Sequence, residues 1–251
     1  LLLAEKMATP EKLSTSEKYA CDMNGDGKVN NEDLVILKEK YPDPMCALHY
    51  EKDYELMIAV RLSAQCTDKQ VNKVTPALFE RYPTAEALAA APVEDVYPMV
   101  KSCGFKSKAS NIVEACRAIV ENHGGQVPST MEALRALPGV GQKTANVVLA
   151  NAFGVPTIAV DTHVFRVSNR LGLAKADNVK LTEEQLMKAI PKKDWVAAHH
   201  WLIFHGRRVC HSRKPDCGAC PCRELCRAYQ EGNPEMKPGQ KPSKTDHSLS
   251  L

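Results

Sequence analysis

Five of the chain's ten cysteines fall between Cys210 and Cys226, and four of them follow the spacing Cys210-x6-Cys217-x2-Cys220-x5-Cys226. Four thiolates within seventeen residues can close around one metal centre, whereas a secreted disulfide scaffold would be shorter and would spread its pairs along the chain. Tetrahedral zinc and a [4Fe–4S] cube each accept four sulfurs, so ligand chemistry alone leaves both open. A second constellation is Leu137-Pro138-Gly139-Val140-Gly141-Gln142-Lys143. Its two glycines allow positive φ and keep no side chain between backbone and ligand, so the amides of Val140, Gly141 and the following turn suit a phosphate oxygen. Lys143 falls in the first turn of the next helix, where the dipole and partial burial disfavour its protonated form and favour a nucleophilic amine. Eighteen residues on, Asp161 in Val160-Asp161-Thr162-His163 follows a short apolar run and precedes a helical stretch, the place of a charged N-cap. Taken singly, each has a plainer reading: a helix-turn-helix corner, a solvated lysine, a cap.

A third constellation lies near the N-terminus. Asp22, Asn24, Asp26 and Lys28 fall at the first, third, fifth and seventh positions of a twelve-residue loop with Gly27 at its sixth and Asp33 at its twelfth. That is the ligand order of a calcium loop, with Asp where an EF-hand usually has Glu. It resembles the loops of dockerin modules, which come in pairs, and only one loop is present. Its alternative reading is an acidic turn ahead of the helix from Leu34.

These residues need elements to hold them. Apolar positions recur at helical spacing, as in Leu56, Ile58, Ala59, Val60 and Leu62, and in Ile112, Val113, Ala115, Cys116, Ile119 and Val120. No β-branched run with turn punctuation makes a strand. Ser129-Thr130-Met131-Glu132 and Thr182-Glu183-Glu184-Gln185 read as capping boxes, placing helix starts near both. Pro83, Pro92, Pro128, Pro138, Pro156 and Pro191 punctuate the rest, so the fold class is all-α with many short helices.

Across 251 residues, 33 basic against 30 acidic side chains leave a net charge of +3, but the distribution is uneven. Residues 1–60 hold 7 basic and 12 acidic side chains, a net of −5, which leaves +8 for residues 61–251. The basic part is where an anionic partner belongs. Hydrophobic content of 44% and charged content of 25% argue against wholesale disorder. No apolar run approaches the roughly 18 residues of a membrane span, and the opening leucines are too few for a signal-peptide core. A cytoplasmic, nucleoid-associated protein with no membrane partner is expected.

The hairpin-like stretch through Thr144 and Ala145, Val160-Asp161-Thr162-His163 and the four-cysteine spacing together resemble the endonuclease III family of DNA glycosylases. Ile58 to Asp68 and His199-His200-Trp201-Leu202 through His205-Gly206-Arg207 to Cys210 agree, and the match spans about Leu34 to Tyr229. The resemblance implies a two-domain helix-hairpin-helix fold with a [4Fe–4S] cluster loop. Residues 46–155 would form a six-helix domain carrying the hairpin, and 34–45 plus 156–229 an iron–sulfur domain. Residues 1–33 would be an acidic leader and 230–251 a disordered tail.

It also implies the chemistry. A damaged pyrimidine is flipped out of duplex DNA, Lys143 attacks the sugar C1′ and forms a Schiff base, and β-elimination cuts 3′ to the abasic site. Asp161 would deprotonate or position the amine and stabilise charge developing on the sugar. Cys210, Cys217, Cys220 and Cys226 would bind the cluster and Cys222 would not. Gln65 would fill the space of the flipped nucleotide, and Phe105 would be the wedge, in a segment one residue shorter than the family's and lacking its following aromatic. Arg213 and Lys214 would meet phosphates in a stretch, 191–229, with eight basic and three acidic residues. His163, His199, His200 and His205 read as packed or hydrogen-bonded structural residues. The protein would act as a monomer. A monofunctional mismatch glycosylase, which lacks a lysine at the position of Lys143, and a non-catalytic DNA-binding module are the competing readings.

Overall fold

The structure, a computed structural model, describes residues 32–238. Every regular element among them is helical: α1 (Glu32–Lys40), α2 (Asp53–Leu62), α3 (Asp68–Arg81), α4 (Ala85–Ala89), α5 (Val93–Val100), α6 (Lys106–His123), α7 (Met131–Ala136), α8 (Gln142–Phe153), α9 (Thr162–Leu171), α10 (Val179–Ala189), α11 (Trp195–Arg208) and α12 (Arg227–Gln230). Two 3-10 turns, Lys101–Cys103 and Lys192–Asp194, complete them. The all-α class read from apolar periodicity is therefore the observed one. No described helix is long and apolar enough to cross a membrane.

Residues Met45–Ala159, carrying α2 to α8, form one compact unit. Its core is built around α2, whose continuous apolar run over residues 56–60, with Leu62, is buried on almost every side. Leu56, Ile58 and Leu62 meet Leu78, Leu88, Ile112, Ile119 and Leu134 there, all fully buried. Side-chain caps start the surrounding helices: Thr67, Thr84 and Thr130 each accept a backbone N–H three residues on. The six punctuating prolines all fall between helices or at a cap, while Pro76 and Pro98 sit inside α3 and α5.

The other unit joins the described residues before Met45 to those from Val160 onward. Here the fully buried His205 of α11 accepts or donates at both ring nitrogens, to the Tyr41 hydroxyl at 3.3 Å and the Cys220 thiol at 3.5 Å. Burial, then His199 and Arg207, push the buried His200 down to about 3, so it is a neutral packed residue.

Two expectations need correction. The second capping box does not start a helix: Asn178 caps α10 by accepting the Leu181 N–H at 2.9 Å, and the buried Thr182 lies inside the helix, donating to the Asn178 carbonyl at 2.9 Å. Residues 230–238, read as disordered, are packed. Met236 is 2% exposed, its carbonyl accepts from Arg170 Nε at 3.1 Å, and Glu235 Oε1 accepts the Lys214 N–H at 2.8 Å. One buried apolar side chain and a charged donor fix a segment that shows no apolar periodicity. Residues 1–31 and 239–251 lie outside the described residues, as do the calcium-loop side chains, Asp33 included.

Candidate active site and cysteine-lined cavity

Helices α7 and α8 are joined by a tight turn. Pro138 cannot extend α7, Gly139 takes φ +72°, and the Val140 N–H closes the turn on the Leu137 carbonyl at 3.1 Å. The expectation that Val140's amide faces a ligand is corrected here, because the turn consumes it, and Val140 itself is buried. Gly141 then caps α8 without a side chain, and the N–H groups of Gly141, Lys143 and Thr144 find no partner among the described residues. They present an unsatisfied donor set at a helix N-terminus.

Gly139 has a second reason to be glycine. A Cβ there would stand 2.5 Å from Arg61 Nε and 2.8 Å from Nη2. Arg61 projects from the end of the apolar run of α2 to lie against the hairpin, its Nε buried without a hydrogen-bond partner and its pKa lowered by burial. It has no carboxylate partner among the described residues. Sequence reading passed over Arg61, although a cation inside the run Ile58-Ala59-Val60-Arg61-Leu62 was a visible signal. Gly139→Ala is expected to destabilise the fold by about 1–3 kcal/mol through left-handed strain and displacement of Arg61, whereas Gly141→Ala, with φ −95° and open space at its Cβ, should cost under about 0.5 kcal/mol. Chemical denaturation of the two variants checks the contrast.

Lys143 is the second residue of α8, and its side chain is exposed. The partial burial expected of it is absent, so desolvation of the amine must come with a ligand. Gln65 and Phe105 are exposed as well, Phe105 at 80%, and Gln65 adopts φ +56°.

In the other unit, Asp161 caps α9. Its Oδ1 accepts both the His163 and the Val164 N–H at 2.8 Å, and its Oδ2 has no hydrogen-bond partner among the described residues. One carboxylate oxygen is thus fixed and the other left for chemistry. The same helix grips the cysteine loop. Arg166 donates to the Cys210 carbonyl at 3.0 Å, and Arg170, 2% exposed, donates to the His211 and Ser212 carbonyls at 2.6 and 2.8 Å. Arg170 Nη1 also stands 3.6 Å from the Cys210 sulfur. Gly206 of α11 lets α9 approach, since a Cβ there would lie 3.0 Å from that of His163.

Cys210, Cys217, Cys220 and Cys226 line one small cavity, with Arg170 and His205 in its wall and the fully buried Cys222 outside it. Among the described residues no group of His, Cys, Asp or Glu is drawn close enough to hold a single metal ion. Four thiols facing one cavity are a donor set that an inorganic cluster or a tetrahedral metal ion accepts. The thiols differ: hydrogen bonding from Cys222 and His205 pulls Cys220 down to about 5, while burial pushes Cys226 up to about 12. Arg213 and Lys214, between the first two cysteines, are exposed.

Comparison with known proteins matches residues 58–192 to the family described as HhH-GPD superfamily base excision DNA repair protein, and residues 1–40 to the dockerin type I domain. The chain is 52% identical over 201 residues to endonuclease III of Synechocystis sp., covering 79% of this chain and 92% of that protein. Against endonuclease III of Escherichia coli K12 the identity is 50%, covering 80% and 95%. A structure of a trapped endonuclease III–DNA covalent intermediate is similar with a TM-score of 0.76 at 47% identity, covering 79% of this chain and 94% of that one. A non-covalent endonuclease III–DNA complex gives 0.77 at 46%, covering 80% and 95%.

Proposed function

The chain belongs to the endonuclease III family of HhH-GPD base excision DNA repair proteins, and from that premise we propose that it is a bifunctional DNA glycosylase and abasic-site lyase. Its substrate is duplex DNA carrying oxidised pyrimidines. The observation that carries this reading is an exposed lysine, the second residue of α8, whose glycine N-cap offers no side chain, beside amides with no partner among the described residues. Those amides grip the phosphodiester backbone without reading sequence. The grip delivers the sugar to Lys143, whose amine displaces the base at C1′ and forms the Schiff base. Asp161 Oδ2 takes the proton from the amine, and the carboxylate offsets positive charge on the sugar. The base leaves with the glycosidic electron pair, and β-elimination then breaks the C3′–O bond.

In this reading Cys210, Cys217, Cys220 and Cys226 hold a [4Fe–4S] cluster. Held by these four thiolates, such a cluster would supply loop architecture and charge rather than hydrolytic chemistry. Arg213 and Lys214 on that loop meet DNA phosphates, and Gln65 and Phe105 occupy the gap beside the extruded nucleotide.

Borohydride trapping on an abasic-site duplex tests the reading. A covalent protein–DNA adduct that forms only with reductant present supports a lyase. On an oxidised-pyrimidine duplex assayed beside it, base release with no adduct on either duplex would instead favour the monofunctional alternative, and neither base release nor adduct a binding module.

A further inference from the structure

The segments bearing Gln65 and Phe105 converge on one side chain. Lys108, on the first turn of α6, donates from Nζ to the Leu62 carbonyl at 2.9 Å, the Ala64 carbonyl at 2.5 Å and the Cys103 carbonyl at 2.5 Å. An ammonium carries three protons, and here each has its acceptor. Two of the acceptors end α2 and the turn after it, immediately before Gln65. The third belongs to the 3-10 turn immediately before Gly104 and Phe105. Lys108 has no carboxylate partner among the described residues, so backbone carbonyls alone receive its charge.

The local backbone is shaped around that contact. Gly104 has φ +139°, and a Cβ on it would stand 3.3 Å from both Cε and Nζ of Lys108. Gln65 holds φ +56°, a conformation that is strained for a non-glycine residue and persists only where neighbours fix it. The Lys108 bond to Ala64 is the adjacent restraint. A second tie, Gln70 Nε2 to Ser102 Oγ at 2.8 Å, links α3 to the same 3-10 turn. Phe105 thus stands 80% exposed on a backbone that is tightly held.

We propose that Lys108 is a positioning residue that locks the Gln65 and Phe105 segments into one rigid wedge, and so governs extrusion of the damaged base rather than strand cleavage. The inference rests on the wedge role given to Gln65 and Phe105 above. Unstacking a base costs free energy, and a wedge already ordered does not spend binding energy on ordering itself. A preformed abasic site has no base to expel, so the lyase step there depends far less on the wedge.

Single-turnover base excision on an oxidised-pyrimidine duplex, β-elimination on a preformed abasic duplex, and the fluorescence of a 2-aminopurine beside the lesion separate these steps. Lys108→Met should slow excision and the fluorescence rise by about 10²-fold while β-elimination changes less than about threefold, with partial recovery in Lys108→Arg. In the Gln65→Ala/Phe105→Ala background, adding Lys108→Met should change excision by less than about threefold. Excision and β-elimination falling together, or an undiminished Lys108 effect in that background, overturns the proposal. If thermal melting shows Lys108→Met unfolded, Lys108→Arg takes its place in each comparison, and the same outcomes support or overturn the proposal. A Gln65→Ala/Phe105→Ala variant that excises at the wild-type rate removes the wedge itself, and the proposal with it. A wild-type chain that neither excises nor cleaves is a failure of the proposed activity, which the trapping experiment detects separately.

Discussion

Lys143→Ala should abolish the borohydride-trapped adduct and slow both base release and strand cleavage by at least roughly 10³-fold, because no other group at the first turn of α8 offers a primary amine to the sugar. The variant should leave the fold intact. Lys143 is exposed, receives no hydrogen bond from the core, and lies where alanine is a good helix former, so the stability change is expected within about 0.5 kcal/mol. DNA binding should survive with a salt dependence reduced by about one phosphate contact, since the partnerless amides of Gly141 and Thr144 remain. Gel analysis of trapped complexes, single-turnover kinetics and binding titrations over a range of salt read the three expectations independently. An adduct that persists in Lys143→Ala removes the lysine from the chemistry.

What the sequence made legible was local. The hairpin could be read because proline, two glycines and a lysine fix a turn and a helix start within seven residues, and the cysteine loop because ligand spacing is a one-dimensional signal. Asp161 as a cap followed from its place between an extended run and a helical one. Long-range packing was not legible. Arg61 beneath Gly139, Lys108 beneath the Gln65 turn, and Arg170 against the cysteine loop join residues tens of positions apart, and no periodicity marks them. The errors have the same origin. Val140 looked like a phosphate donor until the turn's own hydrogen bond was counted, and Lys143 looked partly buried because helix position says nothing of the neighbouring surface. Thr182 lost the cap to Asn178, an equally good capping residue four positions earlier.

Asp161→Asn is the substitution that separates capping from catalysis. Asparagine caps a helix about as well as aspartate, and its side-chain oxygen can keep the two 2.8 Å contacts to His163 and Val164, so stability should change by less than about 1 kcal/mol. The amide nitrogen would then replace Oδ2, the oxygen without a partner, and a group that accepts a proton becomes one that cannot. Turnover on a damaged duplex should fall by about 10²–10⁴-fold while DNA affinity changes little. Asp161→Ala should lose as much turnover and about 1 kcal/mol more stability, the worth of the cap. The position of the carboxylate also depends on α9 as a whole, which Arg166 and Arg170 fasten to the cysteine loop. Arg170→Met should therefore act through packing, lowering stability by about 2–4 kcal/mol as two buried and two part-buried acceptors lose their donor, with turnover falling only as the folded fraction falls. Denaturant melts alongside single-turnover rates for the three variants distinguish the two routes. Should Asp161→Asn turn over at the wild-type rate, the carboxylate is only a cap and the proton must be taken elsewhere.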